Sequence, residues 1–445
     1  MKITAQITRI AIISVLCFAV ASCDGSSDND SSSPAHLFTC IFTLFIVCRD
    51  APQDAASDME NVSVTAGDLF PASIIQGQID AAIDGDTVVV APGTYQGTID
   101  FRGKAITLVS EHGPLVTIID GGGYGSPVVS FINGEGPDSI LQGFTIQNGH
   151  DKGIFAKSSS PGIINNIVAN TEICDGAGIE LNSSSAVVKQ NTLRDNIATC
   201  AGSRAGGAIV VRGVASAVIV DNHIVDNSSI DLAGGITLWN AGTPTIEGNT
   251  ISGNSGGAVK IRNFSDALIL QNIISNNSDE NCGGIDWLVP SSSVGPRITN
   301  NTIVDNDGAL GSAICADGFD ERVQMVNNII VSKPGQTAIF CGNLQNTEFE
   351  PPLIRFNNVY APSGIAYSGV CSNQTSDNGN ISADPLFMDR LNEDYQLSLT
   401  SPAIDAGDTT VEGLPETDIT ANNRIVDGYL NTIALVDLGA YEFTP

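Results

Sequence analysis

"GGITLWN" (234–240) and "NTISGN" (249–254) are two halves of one statement that this chain makes repeatedly. Just before them stand "GGAIVVR" (206–212) and "NHIVDN" (222–227); just after, "GGAVKIR" (256–262) and "NIISNN" (272–277). Further out lie "DKGIFAK" (151–157), "NNIVAN" (165–170), "GAGIELN" (176–182), "NTLRDN" (191–196), "GGIDWL" (283–288) and "NTIVDN" (301–306). The first asparagine of each unit falls at Asn166, Asn191, Asn222, Asn249, Asn272, Asn301, Asn328 and Asn358, at intervals of 25, 31, 27, 23, 29, 27 and 30 residues. A repeat of that length marks a solenoid, propeller or array. Val, Ile and Leu recur at period two, the period of a strand, and no helical periodicity is present. Each unit cannot bury its apolar edge alone and needs neighbours above and below. The fold class that follows is all-β: a single right-handed parallel β-helix with a cap at each end. Asparagine tolerates left-handed backbone and bonds nearby backbone, which suits the bends between strands. Stacked asparagines can also bond one another along the axis.

The chain has 445 residues, only 15% of them charged, and a net charge of −30. That charge argues against a nucleic-acid partner. It is compatible with solubility outside the cell and with binding a cation such as calcium, although the sequence contains no specific metal site. The first 22 residues read as a signal peptide: Lys2 and Arg9, then an apolar stretch. It ends in "VASC" (20–23), which resembles a bacterial lipoprotein cleavage box. The resemblance implies a lipid on Cys23 and a membrane-anchored, exported protein; the alternative is an ordinary signal peptide. Residues 23–67 are then a tether, opening with "DGSSDNDSSSP" (24–34). Within them "LFTCIFTLFIVC" (37–48) is apolar but short of the ~20 residues that span a bilayer.

Ten cysteines in an exported chain suggest disulfides. Cys174 and Cys200 lie 26 residues apart, as do Cys315 and Cys341. That is close to one coil, and residues stacked ~4.8 Å apart can be bridged. Both pairs are therefore expected, with Cys282 and Cys371 left without an obvious mate.

The solenoid is expected over 68–385, with a capping helix from Ile75 to Ile83 over its open end. "GDTVVVAPGTY" (85–95), "GKAITLVSE" (103–111) and "TIIDGGG" (117–123) resemble the opening coils of bacterial pectin-lyase-like β-helix proteins. "SPAIDAGD" (401–408), "DITANNRIVDG" (418–428) and "VDLGAYEF" (436–443) resemble the closing segment of surface β-helix proteins of the choice-of-anchor Q type. Ala421 stands where that pattern has glycine. The second resemblance implies a capping segment over 386–445, with Asp405, Asp418, Arg424, Asp437 and Glu442 paired by charge. The scaffold hosts lyases, hydrolases, esterases, epimerases and adhesins, so the resemblance implies fold rather than activity.

Most catalytic signatures of that scaffold are missing. There is no Asp-Pro-His-Asp segment, as in alginate epimerases, and no Gly-His-Gly, as in polygalacturonases. The four histidines, His36, His112, His150 and His223, read as loop or packing residues. One constellation remains. With the aliphatics of the Gly-Gly strands turned inward, the outward positions stack as Phe155 and Lys157, Glu180 and Asn182, Val210 and Arg212, Thr237 and Trp239, Lys260 and Arg262, Asp286 and Leu288, then Cys315 and Asp317. Trp239 offers a face for a sugar ring, Arg212 and Arg262 suit a uronate carboxylate, and Glu180 and Asp286 flank them. Lys260 beside two arginines would have a lowered pKa and could take the proton next to that carboxylate. The expectation is a protein that binds or processes polysaccharide; if it is an enzyme, the logic is that of a polysaccharide lyase acting by β-elimination, with Lys260, Arg262 and Arg212 catalytic and Trp239, Glu180 and Asp286 binding. The competing expectation makes the same residues cross-strand ion pairs on a non-enzymatic adhesin or structural surface protein. In either case the protein is expected to be a monomer.

Overall fold

The computed structural model describes residues 68–445, apart from 124–125, 174–177, 203–205, 291–292, 319–321, 343–351 and 372. The signal peptide, Cys23, the tether with its apolar stretch and Cys174 lie outside the described residues. From Leu69 onward the chain is a right-handed parallel β-helix built from three long sheets of 11, 11 and 12 strands. Sheet I carries the strands after the Gly-Gly steps, among them Ile209–Arg212, Ile236–Trp239 and Val259–Arg262. Sheet II includes Val218–Val220, Thr245–Glu247 and Leu268–Leu270; sheet III includes His223–Val225, Thr250–Ser252 and Ile273–Ser275. One coil visits I, II and III in turn.

The asparagine phrases supply the bends on either side of sheet III, and each has two working ends. Between sheets II and III the amides of Asn166, Asn191, Asn222, Asn249, Asn272, Asn301 and Asn328 donate one to the next at 2.9–3.2 Å. That ladder continues through Asn357 and Asn380, not through Asn358 as the spacing suggested. A second ladder runs through Asn196, Asn227, Asn254, Asn277 and Asn306 at the far edge of sheet III. The left-handed backbone falls on the residue before each rung, for example Asp221 (φ 55) and Asp226 (φ 55), not on the rung itself. The rung is thus free to satisfy buried carbonyls: Asn249 donates to Ile219 and Glu247 as well as to Asn272.

The Gly-Gly steps answer to sterics. A Cβ on Gly234 or Gly235 would overlap the carbonyl oxygens of Ser255 and Ala258 in the next coil. Inside, isoleucine, leucine and valine fill a continuous core, with Trp287 between Ile261 and the small Ala316. A helix, Ser73–Ala81, covers the first coil with Ile75 and Ile79. Lys104 donates to the carbonyls of Ile79, Asp80 and Ala82 near the helix C-terminus, where cations are favoured.

The C-terminal segment shares its core with the flank of the solenoid. Tyr395, Leu397, Ala403, Ile404, Leu438 and Ala440 pack on Ile273, Val304, Ile329 and Val331, outward residues of sheet III. Sheet III is polar at the equivalent places in earlier coils, such as Arg194, His223 and Thr250. Arg424 is buried in that segment, donates to the Gly439 carbonyl at 2.8 Å and lies 3.8 Å from Glu442. Burial, together with the Asp437 charge, holds the Glu442 carboxyl above its ordinary range; burial likewise raises Asp437.

The cysteine pairing differs from expectation. Cys282 bonds Cys315, and Cys341 bonds Cys371, with Cα separations of 6.0 and 5.4 Å. The register sets Cys315 against Phe340 and Ala316 against Cys341. That offset of one residue turns the two thiols to opposite faces, so Cys315 and Cys341 cannot meet despite their spacing. Cys200 is disulfide-bonded, and its expected mate lies outside the described residues.

Candidate functional site

The stacking read from the sequence is the stacking observed. Glu180 sits on Val210, Val210 on Thr237, Thr237 on Lys260 and Lys260 on Asp286; Asn182 sits on Arg212, Arg212 on Trp239, Trp239 on Arg262 and Arg262 on Leu288. The strands therefore carry two outward columns, and the environments of the two differ.

The column from Glu180 to Lys260 is roofed. Glu180 and Lys260 are each 7% exposed, and Val210 and Thr237 are fully buried. The loops leading into sheet I lie over them. Thr237 accepts the backbone N–H of Ala233 at 3.1 Å, and Lys260 donates to Asp279 at 2.8 Å. Burial opposes the charge on Asp279. The Lys260 ammonium and the backbone N–H groups of Cys282 and Asn281 outweigh that cost and hold the carboxyl below its ordinary range. Glu180 faces Lys152 at 3.6 Å and Arg212 at 3.7 Å. Lys260 is thus buried and paired. The expected general base does not reach the open face, because a loop supplies it with a carboxylate that strand periodicity does not reveal.

The second column is open. Lys157 is exposed, and Arg212, Trp239 and Arg262 are partly exposed, the two arginine side chains at 19% and 16%. Arg262 pairs with Asp286, and further donates to the carbonyls of Ile261 and Asp286 at 3.0 and 3.1 Å. Asp286 and Glu180 therefore serve the arginines rather than standing free at the ends of a site. Three of the five guanidinium N–H donors of Arg262 are engaged in these bonds, which leaves two for a ligand. Beyond the column, Val214 and Phe264 are 82% and 57% exposed. They precede Ala215 and Ser265, which stack through Gly242 in the turn between sheets I and II. Sequence reasoning missed Lys152, Asp279, Val214 and Phe264. The last two were legible, since each stands two residues after an arginine of the column.

Among the described residues no three His, Cys, Asp or Glu side chains converge as a metal site. No helix there is long and apolar enough to cross a membrane.

The coils, ladders and sheets define a protein of the right-handed parallel β-helix class. Residues 79–314 match the family described as "Periplasmic copper-binding protein (NosD)", and the chain belongs to that family. Its disulfides mark an extracytoplasmic protein. No curated protein matches the sequence. Among solved structures, pectate lyase Pel9A is similar at 13% identity over 83% of this chain and 90% of that one, with a TM-score of 0.49. A PL6 alginate lyase complex with trisaccharide follows at 13% identity over 75% and 67%, with a TM-score of 0.28. The A-module of Azotobacter vinelandii mannuronan C-5 epimerase AlgE6 shares 14% identity over 72% and 97%, with a TM-score of 0.24.

Proposed function

We propose that this protein is an exported polysaccharide-binding β-helix that holds an acidic glycan on the open column of sheet I without cleaving it. One observation carries the reading: Arg212, Trp239 and Arg262 occupy consecutive coils in a single outward, partly exposed column. Successive rungs rise ~4.8 Å, so an aromatic face and two guanidinium groups lie within reach of neighbouring sugar rings. Val214 and Phe264 add exposed apolar surface in the turn that follows the column. In a chain of net charge −30, an anionic polymer needs such locally placed cations to offset the general repulsion. Lys157 extends the strip and makes no side-chain hydrogen bond or ion pair among the described residues.

Binding without β-elimination is favoured because Lys260 lies under the roof and is paired with Asp279. The same ion pairs favour a second reading, a non-enzymatic adhesin or structural surface protein. The family description names copper, and the described residues do not fit it. His112, His150 and His223 are exposed on separate elements, and the described cysteines are held in disulfides, which removes the thiolates and clustered imidazoles a copper site uses.

The test is binding of uronic-acid polymers by affinity electrophoresis. Trp239→Ala should weaken retardation by acidic and neutral glycans alike, roughly tenfold. Arg262→Ala should weaken binding of uronates more than of neutral sugars. Parent-like retardation in both variants would reduce the column to a solvated sheet face. Lipid attachment at Cys23 is part of the same proposal: Cys23→Ser should release the protein from membranes.

A further inference from the structure

A second face of the solenoid has an opening of its own. Along sheet II, a groove of about 920 Å³ runs over five consecutive strands. Its floor is Thr245, Leu268, Arg297, Gln324 and Leu353, each stacked on the one before. Asp266, Arg322, Gln374 and Asp377 also line it.

The floor is the informative part. Arg297 is half-buried at its centre. Among the described residues its guanidinium makes no side-chain hydrogen bond and no ion pair, a condition shared in this acidic chain only with the exposed Lys157. Other arginines facing out from the coils are matched: Arg262 with Asp286, Arg355 with Asp408, Arg194 with Asp195. The side-chain amide of Gln324, next along the floor, is likewise uncommitted among the described residues. Leu268 and Leu353 present half-buried apolar surface on either side.

We propose that this groove is a separate binding site for a linear, carboxylate-bearing oligosaccharide, with Arg297 taking a carboxylate. The groove follows the axis for roughly four rises of ~4.8 Å, which suits an extended chain. Its lining combines small apolar patches, neutral hydrogen-bonding side chains and a forked cation, the chemistry of a polyol that carries acid groups. A peptide strand is disfavoured along the floor: four of its five strands pair on both sides within the sheet, and only the terminal one, Leu353–Arg355, is paired on a single side. Nucleic acid is disfavoured by Asp266, Asp377 and the net charge. The site stands apart from the sheet I column and does not depend on it.

The experiment is calorimetric titration of the full chain with hexagalacturonate and with hexameric alginate, using a neutral cello-oligosaccharide and hexaglutamate as controls. Arg297→Ala, Arg297→Lys and Arg262→Ala are compared with the parent, and circular dichroism checks that each is folded. The account expects Arg297→Ala to lose at least about tenfold in uronate affinity, with Arg297→Lys recovering only part through loss of the bidentate fork. It expects a uronate-binding component that survives in Arg262→Ala and is missing in Arg297→Ala. Gln324→Ala should weaken that same component. The groove proposal falls if Arg297→Ala binds like the parent, if hexaglutamate competes as well as the uronates, or if neither uronate binds the parent. Loss in Arg262→Ala alone would support the sheet I column and overturn the groove. Loss in Arg297→Ala alone would support the groove and overturn the column.

Discussion

Lys260 and Arg262 are two residues apart on one strand, point to the same side of the sheet and carry the same charge. They nevertheless occupy different environments. Lys260 is roofed by a loop and tied to Asp279; Arg262 lies at the open surface beside Trp239, tied to Asp286 yet with donors to spare. The same contrast separates Glu180 from Asn182 and Thr237 from Trp239 in the coils below. Strand alternation states which side chains leave the core. It does not state what lies outside, because that depends on where the preceding loop folds back.

The largest expected effect breaks the covered column. Lys260→Ala leaves Asp279 buried without its partner and should cost about 3–5 kcal/mol in denaturant unfolding. Replacing Lys260 and Asp279 together by apolar residues should recover most of that loss. Arg262→Ala removes a pair that is less buried, and should cost less, about 1–2 kcal/mol. Equal costs for the two single variants would erase the distinction between the columns. A rung of the amide ladder sets the scale for a buried polar group. Asn249→Ala removes donors to two carbonyls and to the next rung, and should cost on the order of 3 kcal/mol.

A pH series sharpens the comparison further. The Asp279 carboxyl is held low in the folded state. Its contribution is therefore present above the ordinary carboxylate value of about 3.9 and fades as pH falls through the depressed folded value. Glu442 and Asp437 behave oppositely. Their folded values are raised, so stability is present at acid pH and is lost as pH rises through those values. Asp279→Asn should flatten the acid limb of a plot of thermal midpoint against pH, and Glu442→Gln the alkaline limb. The smallest effect is on the open face: Trp239→Ala should shift the midpoint by only a few degrees, its cost appearing in glycan binding instead.

Much of this molecule is legible in its sequence. The strand positions, the inward set from Ile154 to Trp287 and the register of the outward pairs follow from period two and from the asparagine phrases. What escaped depends on details finer than a period. Cys315 and Cys341 have the spacing of neighbours, but the true coil is one residue shorter, and that single residue reverses a side chain. The spacing points to Asn358 as a rung where Asn357 is one, again a difference of one residue. The roof over Lys260 comes from residues 279–282, in a loop without periodicity. The C-terminal segment finds its place through apolar outward residues, Ile273, Ile329 and Val331, that read in sequence as ordinary strand residues.

The most direct test of the central claim, that the open column binds acidic glycan while Lys260 is structural, is a paired assay on one sample. The full chain is mixed with polygalacturonate and with alginate; bound polymer and unsaturated product, seen by its ultraviolet absorbance, are measured together. The account predicts retention of at least one of these uronate polymers, weakened by Trp239→Ala, with no unsaturated product from parent or variant. Accumulating unsaturated product that disappears in a folded Lys260→Ala protein would contradict it, as would a failure to retain either polymer.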